Sequence, residues 1–218
     1  MEILLAALIG LPVGWAISWC ADRLIAASEL PDRQHRWRAP LVLLATAILF
    51  AALAWRFGAT LQLALTALYT AVFLFVLITD LEHRSIFTVV LFPAIVFAAL
   101  ASPFSQLGWK YSLLGGGIAL TLTLGMYFFA QAYARARGLN IAGGAFGRGD
   151  VWLAVFMGIV VGFPAIFPAI LYTILLGGVG AFGSLVYHRL TERRLTLTAV
   201  MPYGPFFCIA GWWLMVFP

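Results

Sequence analysis

The sequence predicts an all-α, polytopic membrane protein with about eight transmembrane helices, forming a single domain over residues 1–218. Three observations support this fold class. Hydrophobic residues make up 64% of the chain and charged residues only 10%, with a mean hydropathy of +1.03. Soluble domains carry roughly 25% charged residues, so lipid must solvate most of this chain. Long uncharged runs recur along it, and the basic residues between them fall in alternate loops.

The uncharged runs define eight predicted helices. A helix needs about 20 apolar residues to cross a bilayer, and all but the sixth run approach that length. The sixth is followed by a Gly-Phe-Pro break at 162–164, so we expect it to begin inside the membrane or stop short of the far side, with protein or water around its ends. The runs are Ile3–Ala21, Ala39–Trp55, Ala59–Thr79, Ile86–Ala101, Tyr111–Ala134, Val151–Val161, Ala165–Tyr187 and Ala199–Phe217.

The loop charges predict the orientation of these helices. Eleven of the 13 basic residues lie in the loops on one side, and only Arg56 and Lys110 lie on the other. Cytoplasmic loops of membrane proteins carry an excess of Lys and Arg. We therefore expect the first set to be cytoplasmic and both termini to lie outside. The cytoplasmic set is Arg23, Arg33, Arg36, Arg38, Arg84, Arg135, Arg137, Arg148, Arg189, Arg193 and Arg194.

Several other classes of function find no support. A net charge of +5 with a pI near 9.6 could suggest a nucleic-acid partner, but the basic residues are scattered among short loops instead of clustered on one face. Cys20 and Cys208 show no C-x-x-C spacing. The three histidines, His35, His83 and His188, fall in different cytoplasmic loops without a recurring ligand spacing, so we predict no metal site.

Two aspartates stand apart from the other acidic residues. Asp80 closes the apolar run of the third helix, and Asp150 follows Gly147-Arg148-Gly149 and opens the sixth. Both fall at the predicted cytoplasmic ends of helices, and so at one depth. Asp150 is also where a helix N-cap is expected, and Asp80 could simply face the headgroups. Ionisable groups at membrane depth are nevertheless candidates for function, because burying them is costly.

A pair of aspartates at one depth suggests a specific chemistry. Two adjacent carboxyls cannot both ionise easily, so they hold one proton between them. The ionised partner then takes a proton from water while the protonated partner donates to a carbonyl oxygen. Gly147 and Gly149 would permit positive φ angles and let an extended substrate backbone approach Asp150.

Four stretches of the sequence resemble the type IV prepilin peptidases, a family of GxGD intramembrane aspartyl proteases. Residues 79–86 (TDLEHRSI) resemble the first aspartate motif, and residues 147–154 (GRGDVWLA) resemble the second. Residues 201–206 (MPYGPF) are similar to a motif before the last helix. Residues 10–24 are similar to the opening helix of the family. The four stretches occur in the family's order.

The resemblance implies a hydrolase of the bacterial inner membrane that removes basic leaders from type IV prepilins or type II secretion pseudopilins at the cytoplasmic face. Asp80 and Asp150 would be catalytic, and Gly147, Gly149 and Glu82 would lie in the substrate-binding loops. Glu82 is expected to face solvent beside Arg84. Phe87 and Trp152 depart from the family's proline and lysine. The family's tetracysteine region, associated with zinc and with S-adenosylmethionine, is replaced by the short loop 22–38, so we expect neither cofactor.

Other functions are compatible with parts of this pattern. A signal-peptide-peptidase kind of protease carries a Pro-Ala-Leu motif, whereas this chain has only Phe167-Pro168-Ala169-Ile170, in the wrong place. A non-catalytic membrane scaffold would tolerate loss of both aspartates. A small transporter would carry more polar residues at the midplane than Gln62 and Gln131. The pattern assigns no oligomeric state.

Overall fold

Eight α-helices follow one another in the part of the chain that the structure describes. The structure is a computed structural model, and it describes residues 1–30, 37–136, 147–191 and 203–217. Within these ranges there are no strands, so the predicted all-α class is confirmed. The helices are α1 (Glu2–Ala27), α2 (Arg38–Phe57), α3 (Leu61–His83), α4 (Thr88–Ala101), α5 (Gly108–Ala136), α6 (Arg148–Val161), α7 (Ile166–Thr191) and α8 (Gly204–Val216), with a 3₁₀ turn at Ser102–Phe104 after α4.

Five of these helices are long and apolar enough to cross a membrane: α1, α2, α3, α5 and α7. The predicted short sixth helix is confirmed, because α6 has 14 residues and measures about 21 Å. The expectation that every other helix is a full span is wrong for α4 and α8, which have 14 and 13 residues. Residues 85–87 are not helical, and this delays the start of α4. The described part of α8 begins at Gly204-Pro205, where the proline fits a helix's first turn, whereas its predicted start at Ala199 lies outside the described residues.

Helix α6 lies at the centre of the bundle. Ten of its 14 residues are buried, including Phe156 and Met157, which are fully enclosed. Helices α5 and α6 cross at Gly115 and Gly158, where a side chain on either glycine would meet the partner's backbone. This burial supplies the protein surroundings that we expected around a helix too short to span a bilayer.

The long helices turn their largest apolar side chains outward. Leu8, Leu44, Leu100 and Phe129 are each more than half exposed. A water-soluble protein rarely exposes apolar side chains over so wide a surface, whereas a lipid-facing surface requires them. The protein is therefore a multi-pass membrane protein.

The packing of α1, α2 and α3 brings three chain segments together at one end of the bundle. Helix α1 packs closely on α2 because Gly10 and Gly14 face the backbone of Ala47 and Leu43. Helix α3 begins after Thr60, whose hydroxyl accepts a hydrogen bond from the N–H of Leu63 at 3.4 Å. Arg38, the first residue of α2, is hydrogen-bonded to Asp22 near the end of α1 and to Glu82 in the last turn of α3, so these three segments lie at the same end.

Candidate active site

Asp80 lies in the last turn of α3 and is held by a distant part of the chain. Its carboxyl group is almost completely buried, and its Oδ2 accepts a hydrogen bond from the N–H of Gly204 at 3.1 Å. Gly204 is the first residue of α8, where the backbone N–H groups have no partner within the helix. The carboxylate of Asp80 therefore caps α8 across 124 positions of sequence.

Asp150 is held locally. It is the third residue of α6, since the helix begins at Arg148 with Gly147 as its N-cap. The expectation that Asp150 opens the helix as a cap, with Val151 as the first helical residue, is therefore wrong by one turn. Its Oδ2 accepts a hydrogen bond from the N–H of Gly147 at 3.0 Å. This is the acidic half of a capping box, in which a side chain at N3 reaches back to the cap backbone.

The fold brings the two aspartates together at the junction of α3, α6 and α8. Their carboxyl groups are close enough to interact electrostatically. The thiol of Cys208, one turn into α8, is fully buried within electrostatic range of both. Within the described residues, each aspartate uses only Oδ2 in a hydrogen bond. The two Oδ1 atoms can therefore act on a water molecule or a substrate.

The two glycines before Asp150 do not use the positive φ angles that glycine permits. Neither has a positive φ: Gly147 is extended with φ −80°, and Gly149 is helical. A Cβ at Gly149 would lie 2.7 Å from Cβ of Ile86, so its missing side chain makes room for this chain's own residue. Gly149 packs the second aspartate motif against the end of the first, while Gly147 supplies the N–H that binds Asp150.

Glu82 does not face solvent beside Arg84, contrary to our expectation. Its side chain is only 15% exposed, and its Oε2 accepts a hydrogen bond from Nη1 of Arg38 at 2.9 Å. The prediction failed because Arg38 is 44 residues away in the sequence and was assigned only as a loop charge that sets orientation. The position of Arg38 immediately before an apolar run was the available signal that it enters the helix bundle.

The two residues that depart from the prepilin peptidase motifs both pack as aromatic side chains. The ring of Phe87 lies 6.2 Å from that of Phe75 on α3. The ring of Trp152 lies 4.7 Å from that of Phe92, so it joins α6 to α4. Both replacements therefore contribute to packing beside the aspartates.

The described residues offer no donor set for the zinc that the resemblance associates with the family. No three His, Cys, Asp or Glu side chains within these ranges are placed to hold a metal ion. Cys20 is exposed on α1, whereas Cys208 is buried on α8. His35 and part of the loop 22–38 lie outside the described residues, as do Met201 and Pro202 of the third motif.

Comparison with known sequences identifies the family. The sequence model of the type IV leader peptidase family matches residues 67–182, more than half of the chain. The chain belongs to this family. Both Asp80 and Asp150 lie inside the matched segment, whereas Arg38 and Gly204 lie outside it.

Two curated relatives of this leader peptidase family member are similar over most of its length. A prepilin leader peptidase/N-methyltransferase of Bacillus subtilis is 29% identical over 169 residues, 76% of this chain and 60% of the relative. A protein of the same name from Pseudomonas aeruginosa is 29% identical over 175 residues, 80% of this chain and 57% of the relative. The chain thus spans about three fifths of the length of these relatives. No solved structure matches it significantly.

Proposed function

We propose that this protein is an aspartic endopeptidase that cleaves the basic leader from type IV prepilins or type II secretion pseudopilins. One observation carries the proposal. Asp80 and Asp150 lie within electrostatic range of each other, both largely buried, and each has one carboxylate oxygen held by a backbone N–H. A leader peptidase family and two relatives named prepilin leader peptidase support the substrate class.

The paired carboxyls supply both halves of the acid–base chemistry. They hold one proton between them, because two adjacent carboxylates repel each other. The ionised member takes a proton from a water molecule, whose oxygen attacks the carbonyl carbon of the scissile peptide. The protonated member donates to the carbonyl oxygen as negative charge develops there. The tetrahedral intermediate then collapses, and the amide nitrogen leaves as an amine after receiving a proton from the pair.

The bound backbone N–H groups fix the carboxyl groups for this reaction. Gly204 and Gly147 each donate to an Oδ2, which restrains both carboxyl groups and leaves the Oδ1 atoms without a hydrogen bond among the described residues. Groups held in place before the reaction need no reorganisation during it. Neither a nucleophilic side chain nor a metal is required, and we propose that the peptidase works without a cofactor.

We place the reaction at the cytoplasmic face of a bacterial inner membrane, with both termini outside. The basic loops flank the ends of α3 and α6 on which the aspartates lie, and such loops are cytoplasmic. A basic leader lies on that side before cleavage. Its basic residues would meet the headgroup region while the apolar segment after the leader enters the bilayer.

Shortening of a type IV prepilin by the purified protein tests the proposal. Asp80→Asn and Asp150→Asn change little volume and should each lower kcat by about 10²–10⁴-fold, the usual contribution of general acid–base catalysis. The double variant should be no slower than the singles, because residues that act as a unit are not additive. Glu2→Gln, at an exposed position on the first turn of α1, is the matched control and should cleave normally.

The result that contradicts the proposal is equally clear. Cleavage at the wild-type rate by either folded Asp→Asn variant would exclude an aspartyl mechanism at this pair. Failure of the wild-type protein to shorten any prepilin, together with a phenotype that survives loss of both carboxyls, would instead indicate a membrane scaffold.

A further inference from the structure

Arg38 is a buried cation that joins three helices next to the candidate site. It is the first residue of α2, and only 8% of its surface is exposed. Its guanidinium group donates to Glu82 of α3 at 2.9 Å, to the carbonyl oxygen of Ser18 on α1 at 3.3 Å, and to the carboxylate of Asp22, also on α1. Arginine presents several donors in a rigid plane, which suits it to hold several acceptors at once.

The local helix electrostatics oppose both Arg38 and Glu82. A cation at the first position of a helix and an anion in the last turn each face the unfavourable end of the helix dipole. Neither residue gains from its own helix, and both are largely buried. The hydrogen bonds of Arg38 to Glu82 and Asp22 therefore compensate charges that would otherwise be unfavourable where they lie.

Glu82 lies two residues after Asp80, so the two carboxyl groups point to different sides of the last turn of α3. At 100° per residue, positions i and i+2 are about 200° apart around a helix. Asp80 is bound from one side by Gly204 of α8, and Glu82 is bound from the other side by Arg38 of α2. This turn ends at Arg84, whose left-handed backbone (φ 53°) terminates the helix. Contacts on both sides thus fix the segment that carries Asp80.

We infer that Arg38 is a positioning residue for Asp80, acting through Glu82. The inference rests on the proposed function, since it assigns Arg38 a part in the reaction of that site. Among the described residues, no hydrogen bond or ion pair joins Arg38 to Asp80 itself. It anchors the last turn of α3 to the α1–α2 pair, so that the carboxyl group of Asp80 remains in register with Asp150. Arg38 and Asp22 both lie outside the segment that matches the family model.

Kinetics of charge-removing variants in the full-length protein test this role. Arg38→Met and Glu82→Gln should each lower kcat for prepilin cleavage by about 10–100-fold, as expected for a catalytic group misplaced by up to 1 Å. KM should change by less than about twofold. Arg38→Met also leaves Glu82 buried without its partner, which lowers the thermal unfolding midpoint. Arg56→Met, at an exposed position near the other end of α2, is the matched control and should leave kcat and the midpoint unchanged.

The double variant Arg38→Met/Glu82→Gln separates positioning from simple stabilisation. It contains no unpaired buried charge at this contact, so its unfolding midpoint should recover above that of Arg38→Met. Its kcat should stay low, because the anchor is still missing. A double variant with wild-type kcat would overturn the inference, as would a raised KM with unchanged kcat, which would mean that Arg38 binds substrate.

The two proposals fail in different ways. If the Asp→Asn variants are inactive and the double variant is fully active, the peptidase stands and the role of Arg38 falls. If the Asp→Asn variants cleave at the wild-type rate, the aspartyl mechanism itself is wrong, and with it the positioning role.

Discussion

Replacement of Gly204 by alanine tests whether the position of Asp80 controls the reaction. A Cβ at residue 204 would lie 2.6 Å from Oδ2 and 3.0 Å from Cγ of Asp80, whereas ordinary contacts begin near 3.4 Å. The carboxyl group must therefore retreat by about 0.8 Å or more. That movement stretches the 3.1 Å hydrogen bond from the Gly204 N–H beyond bonding distance.

The size of the effect follows from two independent considerations. A hydrogen bond to a charged group contributes about 1.5–3 kcal/mol. If the arrangement in which Asp80 reacts loses this hydrogen-bond energy, the cleavage rate falls by roughly tenfold to 150-fold. Displacement of a reacting group by about 1 Å costs on the order of 10²-fold. We therefore expect kcat for prepilin cleavage to fall by about 10–100-fold in Gly204→Ala, with KM little changed.

The assay compares initial cleavage rates of purified protein at saturating and limiting prepilin, alongside thermal unfolding. Gly125→Ala in α5 is the matched control, because nothing lies within 4 Å of the added methyl group. It should retain wild-type kcat and, in a helix interior, gain slightly in stability. A folded Gly204→Ala protein with kcat within twofold of wild type would refute the reasoning, since Asp80 would then tolerate displacement.

Four further predictions concern the same site and its surroundings. Activity should fall at both pH extremes, because Asp80 and Asp150 together must hold one proton. The two apparent pKa values of the pH–rate profile then belong to the pair and not to either residue. A cleavage rate that levels off at high pH would exclude the shared proton. Gly149→Ala should lower kcat at least tenfold by forcing Ile86 away, with the Gly125→Ala variant as control. A cysteine introduced at residue 144, which lies outside the described residues, should react with membrane-impermeant reagents only from the cytoplasmic side. Labelling only from outside would contradict the predicted orientation of the helices. Mature pilin released by this protein alone should lack N-terminal methylation by mass spectrometry, and a methylated terminus would show that the missing tetracysteine region is dispensable.

The helices were largely predictable because a helix that crosses lipid must be apolar and nearly uncharged over its length. Uncharged runs located all eight helices without knowledge of any contact, while the orientation that the loop charges indicate stays a prediction. The short α6 was also predictable, since its length and the break at Gly162 are local features. The shortness of α4 and α8 was less evident. Apolar residues such as Ile86 and Phe87 continue the hydrophobic run even where the backbone is not helical.

The site was predictable only as far as its carboxylates. Asp80 and Asp150 stood out because charge at membrane depth is rare. Their hydrogen-bond partners did not, since glycine N–H groups carry no side-chain signal: Gly147 was expected to act through backbone freedom, and Gly204 was only part of a motif. Arg38 was assigned to a loop because its partner Glu82 is distant in the sequence. A pairing over 44 residues depends on how α1, α2 and α3 pack, which hydrophobic periodicity does not encode.

The two aspartates are held in different ways, and this asymmetry has a consequence for the reaction. Asp150 takes its hydrogen bond from three residues away, so its orientation persists wherever the start of α6 persists. Asp80 depends on Gly204, 124 residues away, and so on the docking of α8 against α3. That docking is supported deeper in the bundle by the hydrogen bond from Nε1 of Trp212 to Oγ1 of Thr70 at 3.0 Å. Movement of the start of α8 away from α3 would therefore remove the hydrogen bond that holds the carboxyl group of Asp80, whereas the bond that holds Asp150 is made within its own segment. We therefore expect the position of α8 to control whether Asp80 is placed to react together with Asp150.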